Sequence, residues 1–82
     1  MDEQFINLVA DVMKADPGCL KRESTADSVP EWDSLIHWTV IGRLEEAYGV
    51  EFTMDEATEF INLGDIYDTL LRKLKDKKGG TV

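Results

Sequence analysis

Apolar residues in this chain recur every three or four positions, and no strand-like alternation rises above noise. The one regular element such a pattern can bury is the α-helix, because a helix brings positions i, i+3 and i+4 onto one face while a strand needs a period of two. Phe5, Leu8, Val9, Val12 and Met13 open the series between polar positions, with Asp2 and Glu3 at the end where negative charge suits the helix dipole. They predict a helix over residues 3–15. Asp16-Pro17-Gly18 stops it, since proline cannot continue the backbone hydrogen bonding and glycine permits the turn.

Periodicity then lapses until Trp32, and Ser24, Thr25, Asp27, Ser28 and Pro30 read as turn formers. A connection of this length is unusual in a compact domain and is commonly functional. Leu20, Val29 and Trp32 are apolar enough to pin it to the helices. Asp33 is placed to cap a second helix over residues 34–48, whose stripe is Trp38, Ile41, Leu44 and Tyr48 with Leu35 and Val40 at its margins. Ile36, Thr39, Arg43 and Glu46 project from the other side, and Gly49 suits a left-handed cap. A brief third helix is expected over residues 54–61, with Asp55 and Glu56 in its first turn. Asn62, with Asp65 three residues on, resembles a capping box for a fourth helix whose core face is Ile66, Tyr67, Leu70, Leu71 and Leu74. The reading is an all-α, small four-helix bundle with a long first loop and a short third helix, occupying residues 1–76 and followed by a flexible tail over 77–82.

Composition removes whole classes of function. Nine Lys and Arg against 17 Asp and Glu leave a net charge of −8, which repels phosphate backbones and anionic membrane surfaces and argues against nucleic acid as a partner. A chain of 82 residues buries only about 60–65% of its unfolded surface, enough for one core and no separate substrate domain. An autonomous enzyme is therefore not expected. Cys19 is the lone cysteine and His37 the lone histidine, so neither a disulfide framework nor a four-ligand zinc site can form, and a reducing cytoplasm is the simplest compartment. The longest uncharged stretch, residues 34–42, is far short of the roughly 20 residues a bilayer span requires. The acidic start Met1-Asp2-Glu3 differs from the basic start of an export signal.

The segment Glu31-Trp32-Asp33-Ser34-Leu35, after a long loop and opening a helix that ends Leu44-Glu45-Glu46-Ala47-Tyr48-Gly49, resembles the modification site of an acyl carrier protein. Phe52, Asp55-Glu56-Ala57, Phe60 and Leu63-Gly64-Asp65-Ile66 fall where that family has its third and fourth helices. The likeness spans roughly residues 3–75, and Trp32 and His37 look more like stand-alone carriers of secondary-metabolite and polysaccharide pathways than like the fatty-acid carrier. The resemblance implies that Ser34 accepts 4′-phosphopantetheine from coenzyme A through a phosphopantetheinyl transferase, and that the arm's thiol holds acyl groups as thioesters. It implies recognition at Asp33 and Leu35 beside the attachment point, and a monomer whose partners are acyl-loading and acyl-processing enzymes with basic or mixed apolar patches.

Charge patterning agrees with such partners. Residues 27–68 carry eleven acids against the single base Arg43, and Glu45, Glu46, Asp55, Glu56 and Glu59 form an acidic surface expected to dock basic patches. The family's usual acids just after the serine are replaced by Ile36 and Thr39, which implies different partners; Ile36 is either part of an apolar docking surface or buried by the preceding loop. His37 reads as a packing or hydrogen-bonding residue, Trp38 as core and Cys19 as a loop thiol. Asp33, Ser34 and His37 lack the strand–turn–helix elbow of a hydrolase triad. Leu44, Phe60, Ile61 and Tyr67 are apolar candidates to line a crevice for the cargo, core packing being the alternative for each. A peptidyl or aminoacyl carrier shares this chemistry, and a helical interaction module without a prosthetic group remains as a second class.

Overall fold

The computed structural model describes residues 1–79 and contains four α-helices: α1 (Glu3–Met13), α2 (Ser34–Tyr48), α3 (Met54–Glu59) and α4 (Leu63–Gly79). No strand occurs among the described residues; one isolated bridge pairs Thr25 with Asn62. Residues 80–82, at the end of the stretch expected to be a flexible tail, lie outside the described residues, and the backbone of 77–79 continues α4.

Local chemistry sets the helix ends. The Asp2 carboxylate accepts from the Phe5 amide and starts α1. At the other end Lys14 turns into the left-handed region (φ 55°) and the Ala15 amide donates to Ala10 O, ending α1 two residues earlier than its periodicity predicts. Gly49 (φ 66°) closes α2, where a glycine takes that conformation without a side-chain clash. Thr53 and Glu56 form a reciprocal capping box at α3: the Thr53 hydroxyl accepts from the Glu56 amide and the Glu56 carboxylate accepts from the Thr53 amide. The expected box at α4 is only half formed. Asn62 Oδ1 accepts from the Asp65 amide, but the Asp65 carboxylate accepts from Ile61 N–H instead of from Asn62.

The long first connection is ordered by short elements of its own. A 3-10 turn covers Pro17–Cys19, Ser24 Oγ accepts from the Lys21 amide, and Ser28 and Thr25 bond each other's backbone and side chains. The loop is stitched to the start of α4 by Leu63 N–H to Ser24 O and Gly64 N–H to Arg22 O. A Cβ at Gly64 would stand 3.2 Å from that Arg22 oxygen, so glycine admits the close approach. Arg22 and Asp68 add an exposed ion pair across the same junction.

Phe5, Val9, Val40, Leu44, Leu63, Ile66 and Leu70 are the largest fully buried side chains and form the centre of the bundle. Each large aliphatic or aromatic side chain withdrawn from water here contributes about 1.5–3 kcal/mol. Leu20, Val29 and Trp32 are buried and pin the loop to this core as their hydrophobicity suggested. The expected stripe of α2 is buried at Ile41 and Leu44 and half-buried at Tyr48, and it differs at its N-terminal end. Val40, placed at the margin, is fully buried, and Ile36 packs half-buried against the core, whereas Trp38 is 45% exposed and Leu35 stands in solvent. The buried line 36, 40, 44, 48 runs at i+4 spacing, so apolar residues at 35 and 38 fall beside it. Leu71 of α4 is likewise exposed.

Candidate functional site

Ser34 is the first residue of α2, and its position is fixed from both sides. Asp33 is extended (ψ −176°), with its carboxylate accepting from Ile36 N–H at 2.9 Å and its carbonyl from His37 N–H at 2.8 Å. The amides of Ser34 and Leu35 precede the first intrahelical bond and point outward from the positive end of a 15-residue helix. Three serines occur in the chain. Ser24 is buried and bonded to Lys21, and the Ser28 hydroxyl bridges to Thr25. Ser34 alone is exposed with a hydroxyl that bonds no other described residue. The site thus presents one free primary alcohol beside unpaired amide donors, a combination suited to a phosphodiester.

Behind Ser34, His37 joins three parts of the fold. Trp32 Nε1–H donates to His37 Nδ1 at 3.0 Å, and His37 Nε2 lies 2.8 Å from the carbonyl of Ala57 in α3. An indole N–H can only donate and a carbonyl can only accept, so His37 carries its proton on Nε2 and is neutral in this arrangement. The histidine is a hydrogen-bonding residue, as its isolation in the sequence suggested. With both ring nitrogens engaged, neither takes a proton from Ser34, and the residues 33, 34 and 37 make no catalytic triad. Ring contacts continue the link, His37 lying 6.5 Å from Phe60 and Phe60 5.8 Å from Phe52, both edge-on.

A crevice of about 520 Å³, open to solvent, lies between the loop, the start of α2 and α3. Asp27, Asp33 and Ser34 line it together with the largely apolar Trp32, Trp38, Phe60 and Ile61 and with His37. Of the four apolar residues considered for a crevice between the helices, Phe60 and Ile61 line this one. Leu44 is sealed in the core, and Tyr67 packs edge-on against Phe5 at 5.0 Å and does not line the crevice.

The expected acidic surface divides in two. The Glu45 carboxylate accepts from Phe52 N–H at 2.8 Å and holds the α2–α3 link. Glu56 is bound by Lys73 at 2.7 Å as well as by Thr53, and these bonds, the Lys73 one foremost, hold its carboxyl below the usual carboxylate range. Glu46 and Asp55 are exposed and make no ion pair or side-chain hydrogen bond among the described residues, and Glu59 is in the same position. Leu35, Trp38, Met54 and Ile61 are exposed large apolar side chains, and Trp38 and Ile61 share the crevice beside Ser34. Sequence reasoning missed the Thr53–Glu56 box, although Thr-x-x-Glu is its signature, and missed His37 as the tie between loop and α3, which no local pattern announces.

Among the described residues no helix is long and apolar enough to cross a membrane, and no group of His, Cys, Asp and Glu could hold a metal ion. No family model matches the chain. It is 33% identical over 76 residues to polyketide-8 synthase acyl carrier protein 2 of Streptomyces avermitilis, which covers 93% of this chain and 87% of the relative. Its fold matches the solution structure of a holo acyl carrier protein from Geobacter metallireducens with a TM-score of 0.85 and 31% identity, over 94% of this chain and 88% of the other. With both likenesses running through nearly the whole bundle and its capped serine helix, the chain belongs to the acyl carrier protein family.

Proposed function

We propose that Ser34 is the attachment point of 4′-phosphopantetheine, and that the chain presents acyl groups to successive enzymes without itself being a catalyst. The observation that carries this reading is that Ser34 is the one serine with a free, exposed hydroxyl, and that it opens a helix whose first amides are unpaired. On modification the Ser34 Oγ–P bond forms as the diphosphate bond of coenzyme A breaks, adenosine 3′,5′-bisphosphate leaves with the bond's electrons, and the serine proton passes to a base of the transferase. The arm, once bound, supplies a thiol on which acyl groups are held as thioesters. Ser34 and Leu35 N–H groups favour the phosphodiester charge by about 0.3–1 kcal/mol, and Asp33 keeps the helix start rigid.

Partner enzymes meet the exposed apolar side chains Leu35, Trp38, Met54 and Ile61 and the exposed acids Glu46, Asp55 and Glu59. A complementary patch combines apolar and basic groups. Ile36 contributes little to it, being half-buried against the core. The polyketide-synthase name of the Streptomyces avermitilis relative supports a place in secondary metabolism, and the exposed, unpaired Cys19 thiol suits a reducing cytoplasm. Intact-mass measurement after incubation with coenzyme A and a broad-specificity phosphopantetheinyl transferase tests the proposal. The wild type gains the mass of one arm and Ser34→Ala gains none; an unchanged wild type beside a working control carrier overturns it.

A further inference from the structure

The Ser34 hydroxyl bonds no other described residue, so where it stands is decided by the backbone on either side of it. Downstream, the Asp33 carboxylate holds the Ile36 amide. Upstream, the chain enters through Trp32, and only Asp33 separates it from Ser34. With Asp33 as the cap, Trp32 is the residue before it and His37 the fourth of the helix, the two positions whose side chains fix the angle at which a chain enters a helix. At the other three helices this pair is apolar: Met1 with Ile6, Phe52 with Ala57, and Ile61 with Ile66. Among the described helices α2 alone has a hydrogen-bonded pair there. Contact between apolar side chains tolerates sliding, whereas a hydrogen bond weakens steeply when bent. Trp32 Nε1–H donates to His37 Nδ1 at 3.0 Å, with the two rings 15° from parallel. The Trp32 amide also donates to Val29 O, which holds the same residue by its backbone. His37 is fixed in turn by its Nε2–H bond to Ala57 O, so its ring cannot follow a displaced indole without losing that second bond.

We infer that Trp32 and His37 are positioning residues for the modification of Ser34: their hydrogen bond sets the entry of the chain into α2, and through it the place of the Ser34 hydroxyl against the coenzyme A phosphorus and the base of the transferase. The inference rests on Ser34 being the attachment point. Neither side chain touches the reacting atoms. The attacking oxygen has to lie roughly in line with the breaking diphosphate bond, and a misplacement of about 1 Å at such a step costs up to about 100-fold in rate. Docking draws on other groups, the exposed acids and apolar side chains of the surface. Loss of the Trp32–His37 bond therefore slows the transfer and leaves the encounter with the transferase as it was.

Single-turnover transfer from coenzyme A, with a broad-specificity phosphopantetheinyl transferase in excess over the carrier and intact mass as the readout, separates the maximal rate from the half-saturating transferase concentration. Trp32→Phe keeps a ring in the buried site and removes the donor, and His37→Phe removes the acceptor. At a temperature where circular dichroism shows every variant folded, each lowers the maximal rate roughly tenfold with half-saturation within about twofold of wild type. The double variant is no slower than the slower single one, as two ends of one bond require. His37→Gln, which carries one acceptor and one donor group, recovers part of the rate. Val9→Ala, a core truncation in α1, lowers stability and keeps the wild-type rate, which separates positioning from stability. Trp32→Phe, the milder change, decides the matter alone if His37→Phe does not fold. Wild-type maximal rates in the folded variants, or losses that multiply in the double variant, overturn the positioning role and leave Ser34 as the attachment point. No mass gain in the wild type overturns both.

Discussion

The indole of Trp32 and the imidazole of His37 are joined by a 3.0 Å hydrogen bond that ties the end of the long loop to the first turn of α2, just behind Ser34. Trp32 is buried, so its N–H has no water to turn to if the acceptor is removed. His37→Phe keeps the ring and removes both hydrogen bonds, which costs about 1–3 kcal/mol through the stranded indole N–H and the Ala57 carbonyl. His37→Gln, with one acceptor and one donor group, recovers part of it. Urea denaturation of the two variants checks the order wild type, Gln, Phe.

Glu56 gives the fold an acid-sensitive contact. Its carboxyl is depressed below its ordinary 4.5, first by the Lys73 bond and then by the Thr53 amide. A group whose folded value is depressed contributes stability that is present above its unfolded value and is lost as pH falls through the folded one. Glu56→Gln keeps a capping side chain and removes the charge, so at pH 7 it costs about 0.5–1 kcal/mol, given partial screening by solvent. As pH falls below 4.5 and on through the lowered folded value, the difference from wild type shrinks toward zero. Thermal unfolding across pH 3–7 measures it.

The acids of the surface separate by what they already hold. Glu45→Lys loses the bond to the Phe52 amide and destabilises the protein by about 1 kcal/mol. Glu46→Lys and Asp55→Lys leave stability within about 0.5 kcal/mol and weaken binding to a cognate enzyme, the more so at low salt. Denaturation paired with binding at two ionic strengths distinguishes the two groups.

Tyr48 presents the opposite case, a buried hydroxyl with no hydrogen-bond partner among the described residues and a phenol pushed up chiefly by that burial. Tyr48→Phe removes an unpaired polar atom and is expected to stabilise the bundle by about 1 kcal/mol. Urea midpoints of the two proteins, at equal slope, report it.

The sequence was most informative where the chemistry is local. Asp33 as a cap, Ser34 at the head of α2 and Gly49 at its end all lie within one turn of the groups they serve, and the structure places them as their residue types require. Leu20, Val29 and Trp32 could be assigned to the core because apolar residues in a polar loop have nowhere else to go. The face of α2 was harder, since apolar residues at 35, 36, 38, 40, 41 and 44 nearly encircle the helix and periodicity alone cannot choose between them. Packing buried Val40, Ile41 and Leu44, half-buried Ile36, and left Trp38 outside, where it lines the crevice. The Trp32–His37–Ala57 bridge and the stitching of residues 22–25 to the start of α4 depend on partners about 20 or more residues away, which no window along the chain reveals.

Trypsin cleavage after Arg22 and Arg43 isolates residues 23–43, a peptide with five hydroxyl side chains: Ser24, Thr25, Ser28, Ser34 and Thr39. Tandem mass spectrometry of this peptide from the converted protein is the most direct test of the central claim, because it asks which hydroxyl bears the arm. Fragment ions that carry the added mass only when they include Ser34 are the predicted result. Added mass on any of the other four, or on a different peptide, contradicts the account.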